Sequence, residues 1–372
     1  MAERYSMKDD LFNARTVGQL AGEFAQAVPG FDPTRFTAEA LAGFPDRELM
    51  ARMDWLADCI EPHLAADFPT MADQLEAAMP ARLDPTRADD DFGHFIHAVP
   101  GILAVRHGLE HHRARAMTLM YHATQRFSME FYIRPFLNRW PEETLGDLAR
   151  WAGDENYHVR RLVSEGTRPK LPWAKGVALT PDQTVSLLDR LHDDATRYVT
   201  RSVANHLNDL SKTHDNLVLN RLAAWQKGGA QTPKELTWMM RHALRTLIKQ
   251  GHGGAMRALG FDAAVPVDVD LEIETPQVAM GEALVFACTV HAAVDLPVLV
   301  DYRISFERPG GKTGQKVFKL KQGQATPTTP FAVRKTHKLK GDATTFRLYP
   351  GRHQITVQVN GVDRAQADFD LT

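Results

Sequence analysis

The chain has 372 residues, 44 % of them hydrophobic and 24 % charged, with a formal net charge of −2. At roughly 100–200 residues per domain that length predicts two or three domains, and the composition excludes a disordered, collagen-like or small disulfide-stapled protein. The only two cysteines, Cys59 and Cys288, form neither a disulfide framework nor a CxxC pair, which fits a reducing compartment. The first seventeen residues lack the apolar core of a signal peptide, and no run approaches the ~18 apolar residues of a membrane span. The expectation is a cytoplasmic protein with no membrane partner. Charge is sorted along the chain: residues 1–100 hold 8 Lys and Arg against 18 Asp and Glu, residues 101–261 hold 23 against 15, and the remainder 13 against 13. A basic middle third suits a polyanion partner, although ordinary solvated helix faces give similar clusters.

From Val17 to Phe261 apolar residues recur at steps of three and four, as in Leu145, Leu148, Ala149 and Ala152, which predicts helices. Pro, Gly and Asp clusters near 29–33, 45–46, 83–85, 141 and 228–229 separate them. A repeat appears at a spacing of forty: Asp154 and Asp194; Val159, Val199 and Met239; Arg161, Arg201 and Arg241. This is the length of a HEAT-type helical pair. In such a stack the Asp is expected to cap the second helix and the apolar residue to pack into the next repeat, while the three Arg line up on one surface suited to phosphates. The same Arg could instead bond carbonyls or carboxylates and hold repeats together; the period alone does not decide.

After Gly260-Phe261 the pattern alternates over 265–273, 283–290, 300–306, 317–320 and 354–359, which predicts strands of an immunoglobulin-like sandwich, with Asn360-Gly361 turning a last hairpin. The fold class is therefore an all-α HEAT-like solenoid followed by an all-β immunoglobulin-like sandwich, with domains 1–261 and 267–372. Lys312, Lys316, Lys319, Lys321, Arg334, Lys335, Lys338 and Lys340 crowd one stretch of the sandwich, as a basic surface or as edge protection. Other chemistries lack their motifs. His111-His112 and the scattered histidines have no HExxH or Cys partner for a metal, and GxSxG, the P-loop and GxGxxG are absent.

Two motifs carry more. Arg126-Phe127-Ser128-Met129-Glu130-Phe131-Tyr132-Ile133-Arg134-Pro135-Phe136 is the first; Ser164-Glu165-Gly166-Thr167-Arg168-Pro169-Lys170-Leu171-Pro172-Trp173 is the second. With Asn205-His206-Leu207-Asn208-Asp209-Leu210-Ser211-Lys212 and the run from Arg241 to His252, they make the chain resemble the AlkC branch of the AlkC/AlkD-like alkylpurine DNA glycosylases over roughly residues 8–261. Tyr132 and Lys170 depart from the expected small residue and Arg. Some members of the branch also carry an immunoglobulin-like domain after the solenoid. The resemblance implies an enzyme of base excision repair; no cofactor is expected, and a monomer is expected. It would excise cationic N3-methylated bases, chiefly 3-methyladenine and also 3-methylcytosine, from double-stranded DNA without base flipping.

The residues available agree with that chemistry. A ring-methylated base leaves without a general acid, so the enzyme need only stabilise an oxocarbenium-like sugar and position a water, work for carboxylates in a low-dielectric cleft. Glu130 and Glu165 are the candidates, and Trp173 could stack on the sugar or base through its ring face. Glu165 follows Arg161 by four and shares its helix face; either Glu could instead form a buried ion pair with Arg134 or Arg161. Candidate DNA contacts are Arg160, Arg161, Arg168, Lys170, Arg201, Asn208, Lys212, Arg241, Arg245 and Lys249. The sandwich is expected to assist as a clamp on the duplex, against the competing role of a cap on the last helices. The rival reading is a non-catalytic HEAT scaffold binding nucleic acid or an acidic protein, which has no use for a carboxylate facing phosphates.

Overall fold

The computed structural model describes residues 6–87, 89, 92–308, 310, 312–341 and 347–372; the Lys312 side chain lies outside the described set. The chain divides into two compact units, Met1–Leu210 with Ala230–Thr232, and Ser211–Gly229 with Pro233–Thr372.

The first unit is helical among its described residues. Helix starts follow the punctuation in the sequence: Asp32 and Thr180 each accept backbone N–H bonds ahead of a Pro at the first helical position. Helix Arg197–Leu210 buries Val199, Val203 and Leu207, one face at steps of four, against helix Tyr157–Gly166, which buries Val159, Leu162 and Val163. The apolar residues forty apart, Val159, Val199 and, in the second unit, Met239, thus share a burial class. The Asp positions behave differently from the expectation. Asp154 Oδ1 accepts the Asn156 N–H at 2.8 Å, and Asn156 is the cap, accepting from the His158 N–H at 2.9 Å. Asp194 closes the same kind of turn onto Thr196. An Asx side chain satisfies a backbone donor two residues on, so the helix begins later than a capping Asp would place it.

One backbone approach positions the segment before the first motif. Gly93 has φ +74° and pairs with Phe127 in an isolated antiparallel bridge; a Cβ there would lie 1.7 Å from the Arg126 carbonyl oxygen, so the position accepts glycine alone. The neighbouring Phe92, 50 % exposed, meets the edge of the buried Tyr198 ring at 5.9 Å.

Among the described residues the second unit joins the helices Asp215–Gly228, Pro233–Ala243, Arg245–Lys249 and Gly253–Ala258 to eight strands: β1 Val267–Ile273, β2 Gln277–Val278, β3 Ala283–Ala292, β4 Leu296–Arg308, β5 Lys312–Ala325, β6 Phe331–Lys338, β7 Gly351–Val359 and β8 Val362–Leu371. They form a three-stranded sheet β1-β3-β6 and a five-stranded sheet β2-β8-β7-β4-β5. Alternate residues of both, among them Phe286, Tyr302, Ile304, Ile355 and Phe369, fill the core. The predicted hairpin is present, with Asn360 and Gly361 both at positive φ between β7 and β8. Asn360 also ties the turn inward, accepting from the Leu299 N–H and donating to the carbonyls of Asp262 and Pro297. Lys316, Lys319 and Lys321 lie on β5, at the edge of its sheet, where charge blunts edge-to-edge pairing. Met256 and Phe261 are buried with Leu299 of β4, so the sandwich covers apolar surface of the last helices, as a cap must.

Candidate active site

Glu165 sits on helix Tyr157–Gly166 and Glu130 in the turn before helix Ile133–Arg139, and Arg161 joins them. Its guanidinium donates to Glu130 Oε2 at 2.7 Å and Ser128 Oγ at 2.9 Å, and lies 3.7 Å from Glu165 Oε2. On its other side the Tyr198 ring centroid is 4.4 Å from Arg161 Cζ. The second carboxylate continues the network: Arg168 donates to Glu165 Oε1 at 2.5 Å and to Asp209 Oδ2 at 3.0 Å, and the Ser202 hydroxyl donates to Glu165 Oε2 at 2.6 Å. Three carboxylates and two guanidinium groups therefore share one buried cluster.

The two glutamates are not equivalent. Glu165 is 4 % exposed and both its oxygens are engaged. Burial opposes its ionisation, but Arg161 and Arg168 override that and hold its carboxyl below the usual carboxylate range. Glu130 is more accessible. Its Oε2 takes Arg161 and the Ser128 hydroxyl, while Oε1 has no hydrogen-bond partner among the described residues. A carboxyl oxygen with unused lone pairs is what positioning a water requires.

Arg134, in the first motif, pairs with neither Glu. It is buried, and its guanidinium donates to the carbonyls of Gly166, Arg168 and Lys175, fastening the segment after Glu165 to the helix after Glu130. Burial first, then the nearby Arg168, lowers its pKa to about 10. That segment carries Lys170, exposed, and Trp173, which is 68 % exposed at φ +61°. A bulky side chain held in the left-handed region with its ring in solvent is costly for the fold alone.

The Arg row reads differently in the structure. Arg161 is 8 % exposed and spent on carboxylates rather than emerging on a surface, Arg201 pairs with Asp89, and Arg241 is exposed in the second unit. Arg160, a candidate DNA contact, makes a two-pronged contact with Asp194 and reaches the Asp154 and Glu155 carbonyls, so its guanidinium ties two turns of the helical unit together. Asn208 is buried; Lys212, Arg245 and Lys249 belong to the second unit with Arg241. Ser128, Tyr198, Ser202 and Asp209 are the site residues not singled out from the sequence, although Ser128 and Asp209 stand inside the motifs.

Beneath Glu165, His206 is fully buried with its Nδ1 bonded to the Ser164 carbonyl at 3.0 Å, and burial lowers its pKa to about 4 from 6.5. Below pH 6.5 the unfolded chain takes up a proton that the folded ring refuses, so stability is full above that value and falls by up to roughly 3 kcal/mol toward pH 4. A His206→Gln variant should flatten this slope in urea midpoints measured against pH; an unchanged slope would place the acid sensitivity elsewhere.

Among the described residues no helix is long and apolar enough to cross a membrane, and no group of three or more His, Cys, Asp or Glu is placed to hold a metal ion. A family model described as "Uncharacterised protein YhaZ, C-terminal Ig-like domain" matches residues 268–372. The chain is 30 % identical to the "Uncharacterized protein YhaZ" of Bacillus subtilis (strain 168) over 371 residues, covering 97 % of this chain and 98 % of that one. It also matches the structure of the Pseudomonas fluorescens alkylpurine DNA glycosylase AlkC bound to DNA containing an abasic site analog. That match has a TM-score of 0.86 and 32 % identity, over 98 % of this chain and 99 % of that one. Similarity running through both the helical region and the sandwich places the whole chain, not one domain of it, in a family: it belongs to the AlkC branch of the AlkC/AlkD-like alkylpurine DNA glycosylases, with a C-terminal immunoglobulin-like domain.

Proposed function

We propose that the protein is a DNA glycosylase of base excision repair that hydrolyses the N-glycosidic bond of cationic N-alkylated bases, 3-methyladenine and 3-methylcytosine, in duplex DNA. We read its helical part, 1–261, as a HEAT-like solenoid and 267–372 as the accessory sandwich. The observation that carries the reading is the pair of carboxylates joined through Arg161, one locked and ionised, the other with an open oxygen. As the bond to the charged base lengthens, the electron pair goes to the base, which departs neutral, and positive charge builds on the sugar. The Glu130 and Glu165 carboxylates offset that charge where little water competes. Glu130 Oε1 then accepts a proton from the water whose oxygen bonds to the anomeric carbon. Because the base leaves without protonation, no deep pocket has to recognise it, which supports catalysis without flipping. Arg161 and Arg168 serve to hold the carboxylates; phosphate contacts fall to exposed cations such as Lys170, Arg241 and Lys249. The test is direct: incubation with methylated duplex should release 3-methyladenine identifiable by mass, and binding without release would leave a scaffold.

Trp173 gives a separable prediction. Trp173→Ala should lower single-turnover base release about tenfold or more, the loss of a stacking aromatic being worth about 1–3 kcal/mol. Trp173→Gly should do the same while raising the unfolding midpoint, since a left-handed non-glycine residue costs roughly 1–2 kcal/mol. Wild-type release by both variants would remove Trp173 from the reaction.

A further inference from the structure

Within the second unit a half-enclosed cavity of about 140 Å³ opens between the helices 233–249 and the strands β4 and β5. That is roughly ten times what a single water needs. Its apolar lining is Ile248, Leu259, Leu299 and Val317. Four cations, Arg241, Arg245, Lys249 and Lys319, also line it, against a single carboxylate, the buried Asp301. Arg241, Lys249 and Lys319 form no ion pair or side-chain hydrogen bond among the described residues, and all three are exposed. An apolar concavity lined by more cations than carboxylates recognises an anion that has an apolar flank.

We infer that this cavity seats one phosphate ester, its charge on Arg241, Lys249 and Lys319 and its sugar against the Leu259 and Leu299 wall. The chemistry is that of a nucleotide unit, and its two sources are a strand of DNA and a free mononucleotide. The choice of DNA as the source rests on the function proposed above; the seat itself does not. Asp301 sets its strength. It is 6 % exposed beside a register shift of β4, accepts the Leu320 N–H, and is pushed up to about 6 by burial, with Lys319 and Lys249 acting against that. No other acid lines the cavity, so this carboxylate is the one group there that repels an anion.

The test uses the full chain with labelled Ile, Leu and Val methyl groups, titrated by NMR with thymidine 5′-monophosphate and, separately, with a short undamaged duplex. Saturable shifts of the Ile248, Leu259, Leu299 and Val317 methyls with the mononucleotide are expected. Lys249→Gln and Arg241→Gln should each weaken that binding about tenfold, the worth of one charge-assisted contact, and Asp301→Asn should tighten it several-fold, a gain that mere loss of packing would not give. If the duplex moves the same methyls, the phosphate comes from the DNA backbone; if the mononucleotide alone does, the ligand is a free nucleotide. Unmoved methyls with both probes, or shifts indifferent to all three substitutions, would overturn the seat. The mononucleotide titration stands whether or not the protein releases methylated bases.

Discussion

Glu130→Gln is expected to fold as the wild type and to release alkylated bases on the order of 10²–10³-fold more slowly in single-turnover assays, the usual loss when one preorganised electrostatic group is removed. Gln keeps the shape and still accepts the Arg161 and Ser128 bonds at the Oε2 position, so the change falls on charge and proton acceptance. Glu165→Gln should fail differently. Here the lost charge lies between the buried guanidinium groups of Arg161 and Arg168, which retain Glu130 and Asp209, so the loss is that of the carboxylate shared by both, at most the about 3–5 kcal/mol of breaking a buried ion pair. Stability and activity should therefore drop together at Glu165 and come apart at Glu130. The acid limb carries the same sign. Glu165 is held below its usual 4.5, so its contribution is complete above that value and is lost as pH falls through the folded-state pKa; the Gln variant lacks this loss. Wild-type release by Glu130→Gln, with unfolding midpoints unchanged, would reduce the carboxylate to packing.

Gly101→Ala is expected to be among the most damaging methyl additions in the chain. A Cβ at Gly101 would stand 2.3 Å from the Tyr132 ring and 2.7 Å from Met129 Sδ, both buried. The thioether can turn aside; the ring cannot. Overpacking of this kind costs about 1–3 kcal/mol, and the displaced ring belongs to the turn that carries Glu130, so base release should fall as well. Tyr132 occupies the place where the family resemblance led to the expectation of a small residue, and Gly101 supplies the room for it. Tyr132→Ala alone should cost about 3–5 kcal/mol as a cavity. The double variant should be less damaged than the two losses added, by about 0.5–3 kcal/mol, as for residues in contact. Urea unfolding of the four proteins measures the coupling, and strict additivity would show that the two positions do not compensate each other.

Several parts of this architecture could be read from the residues. The change from a period near 3.6 to a period of two after Phe261 marks helices giving way to strands, and Asn360-Gly361 marks its hairpin. The spacing of Arg161 and Glu165 places both on one helix face, where they meet at 3.7 Å. What stayed hidden depends on contacts between segments. Ser202 and Asp209 reach Glu165 and Arg168 from a helix some forty residues on, and no local period encodes which side chain of that helix faces inward with a hydrogen bond. Tyr198 reads as an ordinary core aromatic until Arg161 is found over its ring. Arg134 is the clearest case: from the sequence it is a candidate ion-pair partner for a Glu, and its partners are instead backbone carbonyls, which have no residue code.

That last contact decides how the Trp173 segment behaves when something binds. Three of the carbonyls between Gly166 and Lys175 end on one guanidinium rooted in the helix after Glu130, so the segment has given up much of its freedom before any encounter. Ordering a loose side chain at an interface costs about 0.5–1.5 kcal/mol, and a stapled loop has little of that left to lose. The adjustment on association then falls to the softer body. Under the proposed function that body is the duplex, whose local flexibility would become part of what is recognised.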